Sequence, residues 1–137
     1  MALQLETISD EQFIRQFEDL TLGKAYFNHL GHLKISWLYL HEFELDIAIS
    51  LVCKGIQNYA TSLGDKQKFN LTITDSLVRI MAKRINDKQN NNWLLFLSEN
   101  IDLVENSMAV LAQYFTKDRL LSEQAKMTLI SPDLKPI

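Results

Sequence analysis

The stretch FNHLGHLKISWLYL, residues 27–40, decides the fold class because its apolar residues recur at helical spacing. Asn28 is a good N-cap, so the pattern predicts a helix from about Asn28 to about His41. This helix also carries two of the chain's three histidines, His29 and His32, three residues apart. The role of that pair is the main question that the sequence raises.

Helical periodicity continues on both sides of this stretch. Ser9, with Gln12 three residues on, has the pattern of a capping box and predicts an earlier helix. That helix is expected to end near Gly23, in a left-handed conformation. Its predicted inward residues are Phe13, Phe17 and Leu20.

Further helices are predicted over about residues 43–63, where Gly64 stops the helix, and from Asn70 or Thr72 to Ile85. Shorter helices complete the chain beyond the polar connector NDKQNNN. One of them covers DLVENSMAVLAQYF with its methionine facing inward.

The short apolar β-branched runs, such as LTIT and MTLI, are too brief to predict a sheet. With 137 residues, 47% of them hydrophobic, the chain is the size of one domain and can bury a core. The sequence therefore predicts an all-α fold, a compact single-domain bundle of about five to seven helices over residues 1–137.

Composition and charge argue against several function classes. A net charge of -3, without clustered Lys and Arg, argues against nucleic acid as a partner. No apolar run approaches the ~20 residues of a membrane span, and the N-terminus has no signal-peptide pattern. The single cysteine, Cys53, lies in an apolar run and is expected to be a buried, reduced thiol, which indicates a cytoplasmic protein. No nucleophile elbow or phosphate-binding glycine loop is present.

The histidine pair is the candidate site. Helical positions three apart lie ~60° apart and share a face. Ser36 is about 20° from His29 on the same wheel, at ~100° per residue. This face, which includes Leu33 and Leu40, is expected to point into the bundle.

Two inward histidines can hold one divalent metal ion, such as zinc, iron or manganese. At a helix N-terminus the macrodipole also favours the neutral ring that metal binding requires. The remaining ligands would have to be carboxylates, with the candidates Glu18, Asp19, Glu42 and Asp75. The alternative is a buried pair that is hydrogen-bonded to backbone or hydroxyl groups.

Three blocks of the chain, FNHLGHLKISWLYL, KFNLTIT and the C-terminal segment ending in SPDLKPI, resemble an uncharacterised family of small, mostly bacterial, helical proteins. That family carries an FxHRxHL…AWLYL block, a KYHETIT block and a PDLxPLP block. The resemblance covers nearly the whole chain. It implies a helical fold and a candidate site, but no reaction.

The chain departs from the family pattern at the site. In the family, the middle block's His-Glu would join the first histidine pair in a polar cluster. Here Asn70 and Leu71 replace that His-Glu, and Leu30 replaces the arginine of the first block. His29 and His32 remain, so the resemblance implies a changed or degenerate site. Asn70 and Thr72 have an alternative role as N-caps of the fourth helix, with Asp75 completing a capping-box-like pair with Thr72.

Two hypotheses follow. In the first, the protein binds a small molecule or a metal in a pocket centred on His29 and His32, with Ser36, Asn70 and Thr72 around it; whether it catalyses a reaction is open. In the second, it is a non-enzymatic interaction or regulatory protein that acts through an apolar helix face or as a homo-oligomer.

Overall fold

The computed structural model describes residues 8–89 and 91–137. The chain divides into two compact units, Met1–Lys68 and Phe69–Ile137. All regular structure in the described residues is helical, which confirms the predicted all-α class. The single-domain organisation stays a prediction, and part of the segment examined for a signal peptide, residues 1–7, lies outside the described ranges.

Residues 8–68 of the first unit contain three α-helices, α1 (Asp10–Glu18), α2 (His29–Glu42) and α3 (Leu45–Ser62). Short 3-10 turns lie at Lys24–Tyr26 and Lys66–Lys68. Helix α2 packs against both α1 and α3. This arrangement puts the histidine-bearing helix between the other two helices of its unit.

The predicted capping signals operate at three of the helix ends in this unit. The Ser9 side chain accepts a hydrogen bond from the Gln12 amide, and the Gln12 side-chain oxygen accepts one from the Ser9 amide, so the capping box is confirmed. The Asn28 side chain caps α2 by accepting from the Gly31 amide at 2.8 Å. Gly64, at φ 79°, ends α3 as predicted.

The end of α1 differs from the prediction. Leu20, at φ 63°, takes the left-handed position, whereas Gly23 is extended at φ -62°. The Thr21 amide donates a hydrogen bond to the Gln16 carbonyl at 2.8 Å, as in a Schellman motif. The same motif ends α3, where Gly64 takes the left-handed position. Leucine at this position costs ~1 kcal/mol relative to glycine. Leu20 is also 43% exposed rather than inward.

Helix α2 is buried around most of its circumference. Apart from His32, all its residues from Leu30 to Trp37 are buried. A helix without a solvent-facing stripe is typical of the centre of a packed core. The prediction of a single inward face was therefore too narrow.

Two glycines permit the close approaches of this unit. A Cβ on Gly31 would overlap the Tyr26 carbonyl oxygen, because the preceding turn folds over the start of α2. A Cβ on Gly55 would overlap the Phe17 ring, which lies directly on α3.

The second unit begins with the long helix α4 (Leu71–Lys88), and five shorter helices follow. These are α5 (Trp93–Glu99), α6 (Ile101–Glu105), α7 (Ser107–Leu111), α8 (Lys117–Leu120) and α9 (Glu123–Met127). Helix α4 packs against α7 and α9. The nine α-helices of the described residues exceed the five to seven predicted.

One additional helix arises from a break at Asn106. The stretch predicted as one helix is divided there into α6 and α7, because Asn106 is at φ -152° and its side chain caps the Ala109 amide. Met108 is consequently 43% exposed instead of inward. Among the helices of the described residues, none has both the length and the hydropathy needed to cross a lipid bilayer.

We predict that Gly31→Ala and Gly55→Ala each lower the free energy of unfolding, by about 1–3 kcal/mol. Gly31→Ala should be the more damaging, because the overlapped Tyr26 atom belongs to the backbone. Gly23→Ala is the matched control: a Cβ there would lie 3.7 Å from its nearest neighbour, so a change within about 0.5 kcal/mol is expected. Urea denaturation of the three variants measures these differences, and equal stabilities would contradict the packing described.

Candidate functional site

The two histidines lie on the first turn of α2, and the environment of His32 is the more enclosed. The capping bonds of Asn28 fix the start of the helix. The His32 ring meets the Phe27 ring edge-on, with centroids 4.6 Å apart and planes at 65°. Phe27 in turn stacks on Tyr59 of α3 at 4.1 Å. The imidazole therefore packs at the end of an aromatic stack.

The Nε2 atom of His32 is buried and has no hydrogen-bond partner. Within residues 8–89 and 91–137, it is the one buried side-chain nitrogen or oxygen that lacks a hydrogen-bond partner. Ser36, predicted to lie beside the pair, donates instead to the His32 backbone carbonyl at 2.8 Å. Leaving such a group unpaired in a protein interior costs about 1–3 kcal/mol.

Burial, together with the charge of neighbouring His29, lowers the pKa of His32 from 6.5 to about 4. The His32 ring is therefore neutral at physiological pH. The sequence led us to expect a neutral ring because of the helix macrodipole. The main cause is the loss of hydration on burial.

A neutral, unpartnered imidazole nitrogen has a defined chemical capacity. Depending on the tautomer, Nε2 offers either a lone pair or an N–H group. It can bind a transition-metal ion, accept a proton from a ligand, or donate a hydrogen bond to one. Because buried polar groups in native proteins are nearly always paired, an unpaired one marks a place where a ligand's polar atom would be stabilised.

The described residues contain no group of three or more His, Cys, Asp or Glu side chains placed to hold one metal ion. Of the carboxylates suggested as further ligands, Glu18 accepts a hydrogen bond from Tyr39 at 2.7 Å. Asp75 pairs with Arg79 at 2.6 Å. A metal ion bound to His29 and His32 would thus have two protein ligands from the described residues.

Asn70 and Thr72 belong to the second unit, where the bonds of both side chains are structural. Asn70 caps α4 by accepting a hydrogen bond from the Ile73 amide at 3.0 Å, which confirms its predicted alternative role as an N-cap. Its side-chain amide also donates to the Leu120 carbonyl. Thr72 is not an N-cap. Its hydroxyl lies inside the first turn, donates to the Thr128 carbonyl and accepts from the Ile130 amide.

The Thr72 bonds attach the segment after α9 to α4, which explains a buried hydroxyl without any ligand. Asp75 pairs with Arg79 rather than completing a capping box with Thr72. A ligand-binding role for Asn70 and Thr72 stays a prediction, and we base the site on the two histidines.

No protein-family model, curated protein or solved structure matches the chain. The resemblance to the family with the FxHRxHL, KYHETIT and PDLxPLP blocks therefore stays a prediction.

Sequence reasoning missed a concavity in the first unit, which is lined by Glu18, Tyr39 and residues of α3. A signal for it was present. Residues 51, 54, 55 and 58 share one face of α3, and this face interrupts an apolar pattern with Lys54, Gly55 and Asn58.

We predict that NMR titration of the ring protons will give His32 a pKa near 4. Between pH 4 and 6.5 the unfolded chain, whose histidine pKa is near 6.5, binds more protons than the folded chain. The free energy of unfolding is therefore highest above about pH 6.5 and falls as the pH drops towards 4. The loss reaches about 3 kcal/mol. Spectra of His32→Leu assign the resonance, and a pKa near 6.5 would contradict the buried, unpartnered ring.

Proposed function

We propose that this protein binds a small ligand through the neutral ring of His32, with His29 beside it. The observation that carries the proposal is the buried Nε2 atom of His32 without a partner. A polar atom of the ligand would complete its hydrogen bonding and offset the cost of its burial.

The ligand class that these contacts favour is a small molecule with one polar group and an apolar body. The polar group would meet Nε2, and the aromatic ring of Phe27 would pack against the apolar part. Ser36 supports this site indirectly, through its bond to the His32 carbonyl.

The ligand could instead be a divalent metal ion, because the neutral His32 ring offers a nitrogen lone pair for coordination. With two protein ligands, such an ion would keep open positions for water or for a bound molecule. Its affinity would be low compared with that of a three- or four-ligand site.

Native mass spectrometry combined with elemental analysis of the purified, untagged protein tests both forms. We expect the protein to carry a bound small molecule, or to bind zinc, manganese or iron when that ion is added, and we expect His29→Ala/His32→Ala to bind neither. His41→Gln is the matched control, because His41 lies at the other end of α2, where its ring packs on Trp37, and this variant should retain the ligand.

An unliganded mass for the parent, with His32 ring resonances that stay unshifted on addition of zinc, manganese or iron, would contradict the proposal. Retention of the ligand by the double variant would also contradict it, because the ligand would then lie elsewhere.

Exposed apolar side chains favour a second candidate function, protein–protein interaction. In the second unit Met127 is 76% exposed, Leu94 55%, Leu134 54% and Leu129 50%. Contiguous exposed apolar patches mark interaction surfaces, and Met127 and Leu129, two positions apart in the chain, are the candidates for one here. Sedimentation velocity over a wide concentration range tests self-association: a homo-oligomer that Met127→Lys dissociates supports this function, and a monomer throughout counts against it.

A cytoplasmic location, a bacterial origin and the absence of a nucleic-acid partner form part of the same proposal. The buried position of Cys53 supports the location, and the net charge of -3 supports the absence of a nucleic-acid partner. The bacterial origin depends on the resemblance of the three sequence blocks alone.

A further inference from the structure

A concavity of the first unit, distinct from the histidine pair, has the features of a recognition site. It has a volume of about 160 Å³ and lies between the end of α1, Tyr39 of α2 and the face of α3 that contains residues 51, 54, 55 and 58. None of its lining residues is a histidine. An engineered protein cavity of about 150 Å³ holds a benzene-sized molecule, so the space here suits a ligand of similar size.

One end of the pocket carries a preorganised acceptor. The Tyr39 hydroxyl donates to Oε2 of Glu18 at 2.7 Å. Burial, together with this bond to Glu18 and the charges of Glu18 and Glu42, raises the pKa of Tyr39 well above its usual range. Tyr39 therefore keeps its proton and holds the Glu18 carboxylate in place, while Oε1 remains able to accept from a ligand.

The α3 wall of the pocket carries a cation. Lys54 of α3 takes part in none of the ion pairs within 4.0 Å found among the described residues. Asn58, one turn further on, contributes an amide to the same wall. The pocket thus presents a carboxylate and an ammonium group together.

The remaining wall is apolar and includes a strained residue. Phe17, Leu20 and Leu51 line it, and Gly55 provides the space into which the Phe17 ring fits. Leu20 has the left-handed conformation that glycine adopts in the equivalent turn at Gly64. Its side chain lines the pocket and is 43% exposed, so it is accessible to a ligand.

We infer that this pocket binds a small zwitterion with an apolar side chain, an α-amino acid. The ligand's ammonium group would donate to Glu18, its carboxylate would accept from Lys54 and Asn58, and its side chain would pack against Leu20 and Leu51. Because the ammonium group and the carboxylate would each form a charge-assisted hydrogen bond, tight binding would require both charges of the ligand.

The test is a titration of the full chain with L-leucine, followed through its backbone amide NMR signals. Two probes accompany it: 3-methylbutylamine lacks the carboxylate, and 4-methylpentanoic acid lacks the ammonium group. We expect L-leucine to shift the amides of Leu20, Gly55 and Asn58, and each single-charge probe to bind about tenfold or more weakly.

Paired variants separate recognition from folding. Glu18→Gln retains an acceptor for Tyr39 but removes the charge, and Lys54→Gln removes the cation; each should weaken leucine binding about tenfold while the protein stays folded. Glu11→Gln and Lys24→Gln change exposed charges elsewhere in the same unit, and these control variants should bind leucine as the parent protein does.

Three results would overturn the inference. They are an absence of shifts at the three pocket amides with L-leucine at millimolar concentration, equal binding of either single-charge probe, and equal affinities for the pocket variants and their controls.

Discussion

The burial of helix α2 is the constraint on which the rest of the first unit depends. A helix enclosed on nearly all sides has to provide a partner for every polar side chain that it carries inward. Lys34, 5% exposed, pairs with Asp10 of α1 at 3.1 Å. Ser36 bonds the carbonyl one turn back, and Tyr39 bonds Glu18. The His32 ring is the exception, and this contrast is the reason for regarding it as a ligand-binding group.

The elements that sequence reasoning predicted correctly are those governed by local chemistry. The capping box of Ser9 and Gln12, the cap at Asn28 and the stop at Gly64 each depend on residues within one turn of the chain. The left-handed Leu20 could not be predicted, because leucine disfavours that conformation. The break at Asn106 was missed because the apolar spacing across it still fits one helix.

The candidate site was predictable in composition but not in physical state. Spacing alone put His29 and His32 on one turn. It could not show that the ring of His32 would be enclosed by Phe27 and left without a partner, because both facts depend on neighbours brought close by the tertiary fold. The same holds for the pair of Tyr39 and Glu18, which are 21 residues apart in the chain.

The most direct test of the central claim is the stability of His32→Leu at pH 7, measured by urea denaturation. If Nε2 is buried without a partner, an apolar side chain removes that cost, and the free energy of unfolding should rise by about 1–2 kcal/mol. A site retained for binding at the expense of stability would behave in this way. A fall of similar size would mean that the imidazole makes a stabilising hydrogen bond in the unliganded protein, and the account given of His32 would be wrong.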